Sequence, residues 1–256
     1  MQGGSLVGDA PTVAAERLDR QSTDALKARL LELTRHRDSE PVAAKVKFAQ
    51  RELMPWFQEL SRRNPYPQPA DQAALAVGIW QPVWSTIPFQ DILPGRQRQQ
   101  SYQIFRPDGR YANIARYAPG NELPLLRRLP AMLLAYDLML VQQYDTQQGS
   151  WAIQNVGIQQ SLRLGTAPLT GERAQRWFDR VARPQATQPT AGAARFRLPL
   201  PKKLTQKATK QLQGASQATP QFEHLYCDHE FRLVKTKRDP KQRPSYTIAV
   251  RYAEQH

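Results

Sequence analysis

The chain carries one cysteine, Cys227, in 256 residues. It can build neither a disulfide framework nor a cysteine-based zinc site from its own thiols, and a reducing, cytoplasm-like compartment fits. No apolar run approaches the roughly 18 to 20 residues that span a bilayer. The opening MQGGSLVGDAP lacks the basic and apolar regions of a secretory signal. Residues 9 to 40 hold Asp9, Glu16, Asp19, Asp24, Glu32, Asp38 and Glu40, whereas transit peptides are poor in acids. The expectation is a mature or bacterial chain, neither secreted nor integral to a membrane. Acids are nevertheless outnumbered over the whole chain: 22 Asp and Glu face 36 Lys and Arg, for a net charge of +14. Such a balance suits an anionic partner, whether nucleic acid, an acidic lipid surface or an acidic protein.

Catalytic signatures are also missing. Asp91, Asp137, Asp228 and Glu230 are too scattered for a carboxylate pair. Among His36, His224, His229 and His256, the one suggestive spacing is His224 to His229, and residues five apart on a strand face opposite sides. No glycine-rich phosphate loop or nucleophile elbow occurs, and Cys227 alternates with Leu225, Phe231 and Leu233 as a core residue would. The sequence therefore predicts no catalysis, no metal and no cofactor.

What is present begins with helices. In TDALKARLLELTRH, Leu26, Leu30 and Leu33 fall at helical spacing behind Thr23 or Asp24 as an N-cap, and Pro41 separates a second segment. That segment, VAAKVKFAQRELMPWFQEL, has an apolar stripe of Val42, Val46, Ala49 and Leu53, extended by Trp56, Phe57 and Leu60. Residues 1–70 read as a helical hairpin plus the proline-rich connector RNPYPQPAD, packed on the C-terminal remainder of the chain.

From residue 71 the period becomes two. The stretches VGIWQPVWSTI, QSYQIFRP, GRYANIARYA, LPAMLLAYDLMLVQQYD, SWAIQNVGIQQSLRLG, ARFRLPLP, FEHLYCDHEFRLVKT and PSYTIAVRYAEQ read as eight strands in series. Consecutive short strands favour an antiparallel eight-stranded β-barrel, which leaves no open edge and encloses either side chains or one small ligand. The fold class is mainly β with N-terminal helices (α+β), the barrel occupying 71–256 with a basic insertion at about 171–220. Within the insertion GERAQRWFDRVAR reads as a short amphipathic helix. Beyond it Arg195, Arg197, Lys202, Lys203, Lys207 and Lys210 stand with no acid among them, as candidates for an anionic membrane surface.

Gly78-Ile79-Trp80 opens the first strand. In a small closed sheet glycine allows close backbone approach, tryptophan fills the closed end, and an arginine on the last strand, here Arg251, covers the indole. Trp80, Trp84, Tyr102, Phe105 and Tyr136 are predicted to line or plug the interior. Arg232 and Arg251 are candidates to receive a carboxylate or phosphate head, with Tyr246 or Tyr102 supplying a hydroxyl. Arg232 also shares strand parity with Asp228 and Glu230, which suits an outward, ion-paired face.

The stretch LAVGIWQPVWSTI resembles the opening block of the plastid lipid-associated protein or fibrillin family of plants and cyanobacteria. SYQIFRPDGRYANI is similar to that family's next two strands, and LYCDHEFRLVKTKRD with the later SYTIAVR to its closing block, so the resemblance covers most of 71–252 in order. Trp84-Ser85-Thr86 departs from the family's Tyr-Thr-Thr, TKRDPKQRP replaces its glycine hairpin, and the insertion matches no block. The resemblance implies a lipocalin-like barrel that binds a prenylquinone, carotenoid or acyl lipid without catalysis. It implies peripheral attachment to thylakoid membranes or lipid globules, in a cyanobacterium or a plastid, and for some members an enzyme partner in prenylquinone metabolism. The alternatives are a bilin-handling lipocalin-like enzyme or chaperone, and nucleic-acid binding, which charge alone suggests.

Overall fold

A computed structural model describes residues 18–88, 90, 95–118, 134–146, 149–164, 167–183, 221–237 and 242–253. Its N-terminal part is helical. Helix α1 (Thr23–Thr34) starts where the Ser22 hydroxyl accepts the Ala25 N–H, and α2 (Val42–Phe48) comes directly after Pro41. Pro55 has no N–H to give to the turn before it, and the chain meets this with a π-helical turn at Ala49–Leu53 before α3 (Met54–Arg62). The expected stripe on α2 is interrupted: Lys45 turns inward while Val42 and Val46 stay half-buried. Its partner is Asp38, in a short 3-10 turn at Arg37–Ser39 between α1 and α2.

The proline-rich connector is shorter than the sequence suggests. Pro69, at the start of a helix where a missing N–H costs nothing, opens α4 (Pro69–Ala76), so helix continues to the threshold of the sheet.

The sheet has eight antiparallel strands closed into a ring: β1 (Gly78–Ser85), β2 (Arg96–Phe105), β3 (Arg110–Tyr117), β4 (Leu134–Asp145), β5 (Trp151–Leu164), β6 (Gln221–Cys227), β7 (Phe231–Lys237) and β8 (Ser245–Arg251). Neighbours in sequence are neighbours in space, and β8 returns to β1 with Arg251 opposite Trp80. The membership differs from the sequence reading. FEHLYCDHEFRLVKT is two strands, because the Asp228 carboxylate accepts the N–H groups of Glu230 (2.8 Å) and Phe231 (2.7 Å) and reverses the chain. ARFRLPLP, a strand by its alternation, lies outside the described residues, as do the six basic candidates Arg195, Arg197, Lys202, Lys203, Lys207 and Lys210. The seam between β5 and β6 is short, meeting at Trp151 opposite Phe222 and Ala152 opposite Gln221.

Each face of the ring has its own packing. On one outer side Leu26, Leu30, Leu53, Phe57 and Leu60 of the helices pack on Trp84, Tyr226, Phe231, Leu233 and Ile248. On another, Trp177 and Phe178 of α5 (Gly171–Ala182) cover Tyr102, Ile104, Ile114 and Met139. Inside one end, Trp80, Phe105, Tyr111, Tyr144, Trp151 and Phe222 form an aromatic plug above Ala76 of α4. Gly78 is irreplaceable beside it. Its φ is +119°, and an added Cβ would lie 2.7 Å from Nη1 of Arg251.

Candidate binding cavity

Above the plug the ring encloses a cavity of about 420 Å³. Its wall arises from strand alternation: Gln103 of β2, Tyr111, Asn113 and Ala115 of β3, and Leu138 and Gln142 of β4 all point inward. The floor side is bounded by Tyr111, Ile153 and Phe222, the mouth by Ile87, Arg96, Tyr117, Arg243 and Ser245.

Amides cross the middle of this apolar space in a chain. Gln103 Nε2 donates to Asn113 Oδ1 (3.2 Å), Asn113 Nδ2 to Gln142 Oε1 (2.7 Å), and Gln142 Nε2 to Asn155 Oδ1 (2.7 Å). The Tyr111 hydroxyl also donates to Asn113 Oδ1, at 2.8 Å. Asn113 thus receives two donors, and Gln103 Oε1 is left buried with no partner among the described residues. The belt consists of neutral groups and offers one free acceptor. A single interior Asn or Gln on a strand reads as solvent-facing, so only the register of β2 to β5 gathers them.

At the mouth, Asp38 gathers three cations from α2 and β2 and one backbone N–H from β1. It accepts the Ser85 N–H (2.9 Å) and pairs with Lys45 (3.2 Å), Arg98 (3.0 Å) and Arg96 (3.6 Å). Arg96, which borders the cavity, also donates to Gln90 Oε1 (2.9 Å) and Ser101 Oγ (3.3 Å). Sequence spacing gives no hint of this cluster.

The residues expected to form the site are distributed differently. Trp80 and Phe105 belong to the plug below the cavity, not to its wall. Trp84 and Tyr246 face outward against Phe57, because Pro82 cannot donate to the ladder and the bulge after it reverses the parity of β1. Tyr102 borders the cavity as expected, but its ring packs with α5 and its hydroxyl is taken up by the Leu169 carbonyl (2.9 Å). Tyr136 is buried opposite Tyr117 and does not border the cavity.

The two arginines part company. Arg251 lies 4.0 Å over Trp80 and gives its N–H groups to the carbonyls of Leu75 (2.7 Å), Val77 (2.6 Å) and His229 (2.8 Å). It is a clamp on the ring closure, with no donor directed at a ligand. Arg232 points inward, against the expectation of an ion-paired outer face, because the turn at Asp228 breaks the parity between them. It is fully buried, its Nε donates to His224 Nε2 at 2.9 Å, and Nη1 and Nη2 have no partner among the described residues. The guanidinium lies 4.4 Å from the Phe105 ring centre and 4.8 Å from that of Trp80, and burial lowers its pKa to about 10.

Compared with known protein families, with curated proteins and with solved structures, the chain matches none of them. Among the described residues, no helix is long and apolar enough to cross a membrane.

His224 provides a test of how tightly this end is sealed. Burial, and then the facing Arg232 guanidinium, hold its imidazole well below the usual 6.5. The unfolded chain takes up a proton near pH 6.5 that the folded chain refuses. Stability from the neutral imidazole is thus complete above that pH and declines below it, by about 1.4 kcal/mol per pH unit. Urea denaturation should show the advantage of wild type over His224→Gln shrinking between pH 7 and pH 5. A pH-independent difference would mean that the imidazole titrates normally in the folded protein.

Proposed function

We propose that this chain is a non-enzymatic binding protein that holds one small apolar molecule inside a lipocalin-like barrel. The observation that carries the reading is the cavity of about 420 Å³ within the closed ring, walled largely by apolar side chains, crossed by the amide belt and bordered by Arg96 and Arg243 at its mouth. At ~30 Å³ per water-sized group, it holds on the order of 14 such groups. That size accepts a medium acyl chain, or the head ring of a prenylquinone whose tail leaves through the mouth. A full-length carotenoid exceeds it.

The likeness of residues 71 to 252 to the plastid lipid-associated or fibrillin family supports the same ligand classes, and with them attachment to thylakoid membranes or lipid globules. Arg173, Arg176, Arg180 and Arg183 project from α5 and the residue after it into solvent, which favours peripheral contact with an anionic lipid surface.

Native mass spectrometry of gently purified protein, with subsequent organic extraction, should release one apolar molecule per chain. Ala115→Trp would place an indole in the cavity, and should weaken binding of dodecanol at least tenfold while the fold persists. Unchanged dodecanol binding in that variant would move the ligand elsewhere, and no binding by wild type would remove the function proposed.

A further inference from the structure

Arg232 poses a problem that the plug does not solve. Its side chain is wholly buried, one of its N–H groups is satisfied, both Nη groups are unpartnered among the described residues, and no carboxylate is bonded to it there. The one hydrogen bond goes to a neutral histidine. Two aromatic faces recover part of the lost hydration, but a buried cation ordinarily requires an anion as well. Nearby charge is of the same sign, since Arg251 also lies over Trp80.

The position of Arg232 connects this charge with the cavity. On the inward face of β7 the order is Thr236, Val234, Arg232, of which the first two border the cavity. Arg232 is thus one interior step below the wall, roughly 7 Å along the strand. Tyr111, part of the wall, stacks on Phe105 at 4.1 Å, and Phe105 lies against the guanidinium. Phe222, also part of the wall, meets His224 edge-on at 4.9 Å. Among the described residues no Asp or Glu borders the cavity, whose charged neighbours are Arg96 and Arg243 at the mouth.

We infer that the missing anion is carried by the ligand: the cavity takes a carboxylate-bearing amphiphile, carboxylate first, and Arg232 is the deep charge that selects it. The inference rests on the cavity-binding function proposed above and adds the head group and the direction of entry. Free Gln103 Oε1 lies on the same path and suits a ligand that also carries a hydroxyl. One unit charge at about 7 Å, in an effective dielectric near 20, is worth a factor on the order of 50 in affinity.

Dodecanoate fits the size, and three probes with one tail separate the contributions: dodecanoate, dodecanol and dodecylammonium, titrated calorimetrically at pH 8 into the full chain. Wild type should bind dodecanoate at least tenfold more tightly than dodecanol, and dodecylammonium most weakly. Arg232→Met should erase the preference while keeping dodecanol binding, Arg232→Lys should retain most of it, and Arg243→Gln, at the mouth, should reduce it by less than Arg232→Met does. Orientation can be read without any variant: 2-bromododecanoate should quench tryptophan fluorescence more than 12-bromododecanoate, because Trp80 and Trp151 lie at the floor. The inference is overturned if the preference survives Arg232→Met, if Arg243→Gln reduces it more than Arg232→Met does, or if the 12-bromo acid quenches more. Equal binding of acid and alcohol defeats the inference and leaves the cavity function standing, whereas failure of all three probes defeats both.

Discussion

Replacing Asp38 with alanine is expected to lower stability by about 3–5 kcal/mol. One carboxylate there stands against three cations, and two of them are deeply buried: the side chains of Lys45 and Arg96 are 1% and 4% exposed. Without Asp38 both buried charges lose this carboxylate, and the Ser85 N–H loses its acceptor as well. Asp38→Asn keeps shape and one acceptor but removes the charge, so it should recover only a minor part. Urea denaturation measures the loss directly, and thermal melting should show a fall on the order of 10 °C. A decrease below about 1 kcal/mol would mean that water reaches Lys45 and Arg96, contrary to their burial. The effect also bears on binding, because Arg96 borders the cavity mouth and Asp38 helps to hold it there.

Trp80→Ala should cost a similar amount, about 3–5 kcal/mol, by a different route. The indole is fully buried in the plug, donates through Nε1 to the Ala76 carbonyl at 2.7 Å, and presents its faces to Arg251 and Arg232. Alanine leaves a void where that ring was and strips two guanidinium groups of their aromatic cover. Trp80→Phe restores most of the apolar contact without the hydrogen bond, and should lose less than half as much. The measurement is again denaturant midpoint, with the slope monitored so that a change in the unfolded state is not mistaken for one in the folded state. If alanine and phenylalanine cost the same, the hydrogen bond to Ala76 rather than packing dominates at this position.

The ring was legible in the sequence because alternation is a local signal: β1 to β5 and β8 stand close to where period-two patterning puts them. Errors arose wherever one side chain redirected the backbone. Asp228 folds a seemingly continuous strand into β6 and β7, and Pro82 displaces the register so that Trp84 changes face. Lys45 defied its helical stripe for a related reason, since its partner Asp38 is set by tertiary contact and has no fixed spacing. The pairing of Trp80 with Arg251 could be foreseen from a short motif and the order of strands. The amide belt could not. Gln103, Asn113, Gln142 and Asn155 come from four strands, and nothing local marks them as interior.

Closure by the clamp of Arg251 also bears on how the molecule is made. The guanidinium grips the carbonyl of Val77, a partner 174 residues earlier in the chain. During synthesis β1 leaves the ribosome long before its second neighbour exists, and the helices that pack on Trp84, Tyr226, Phe231, Leu233 and Ile248 gain the rest of their seat only as β6, β7 and β8 emerge. Final assembly therefore waits for β8, governed by a contact of long sequence separation and correspondingly slow. Until then the nascent sheet has an unpaired edge, the surface on which holding chaperones act.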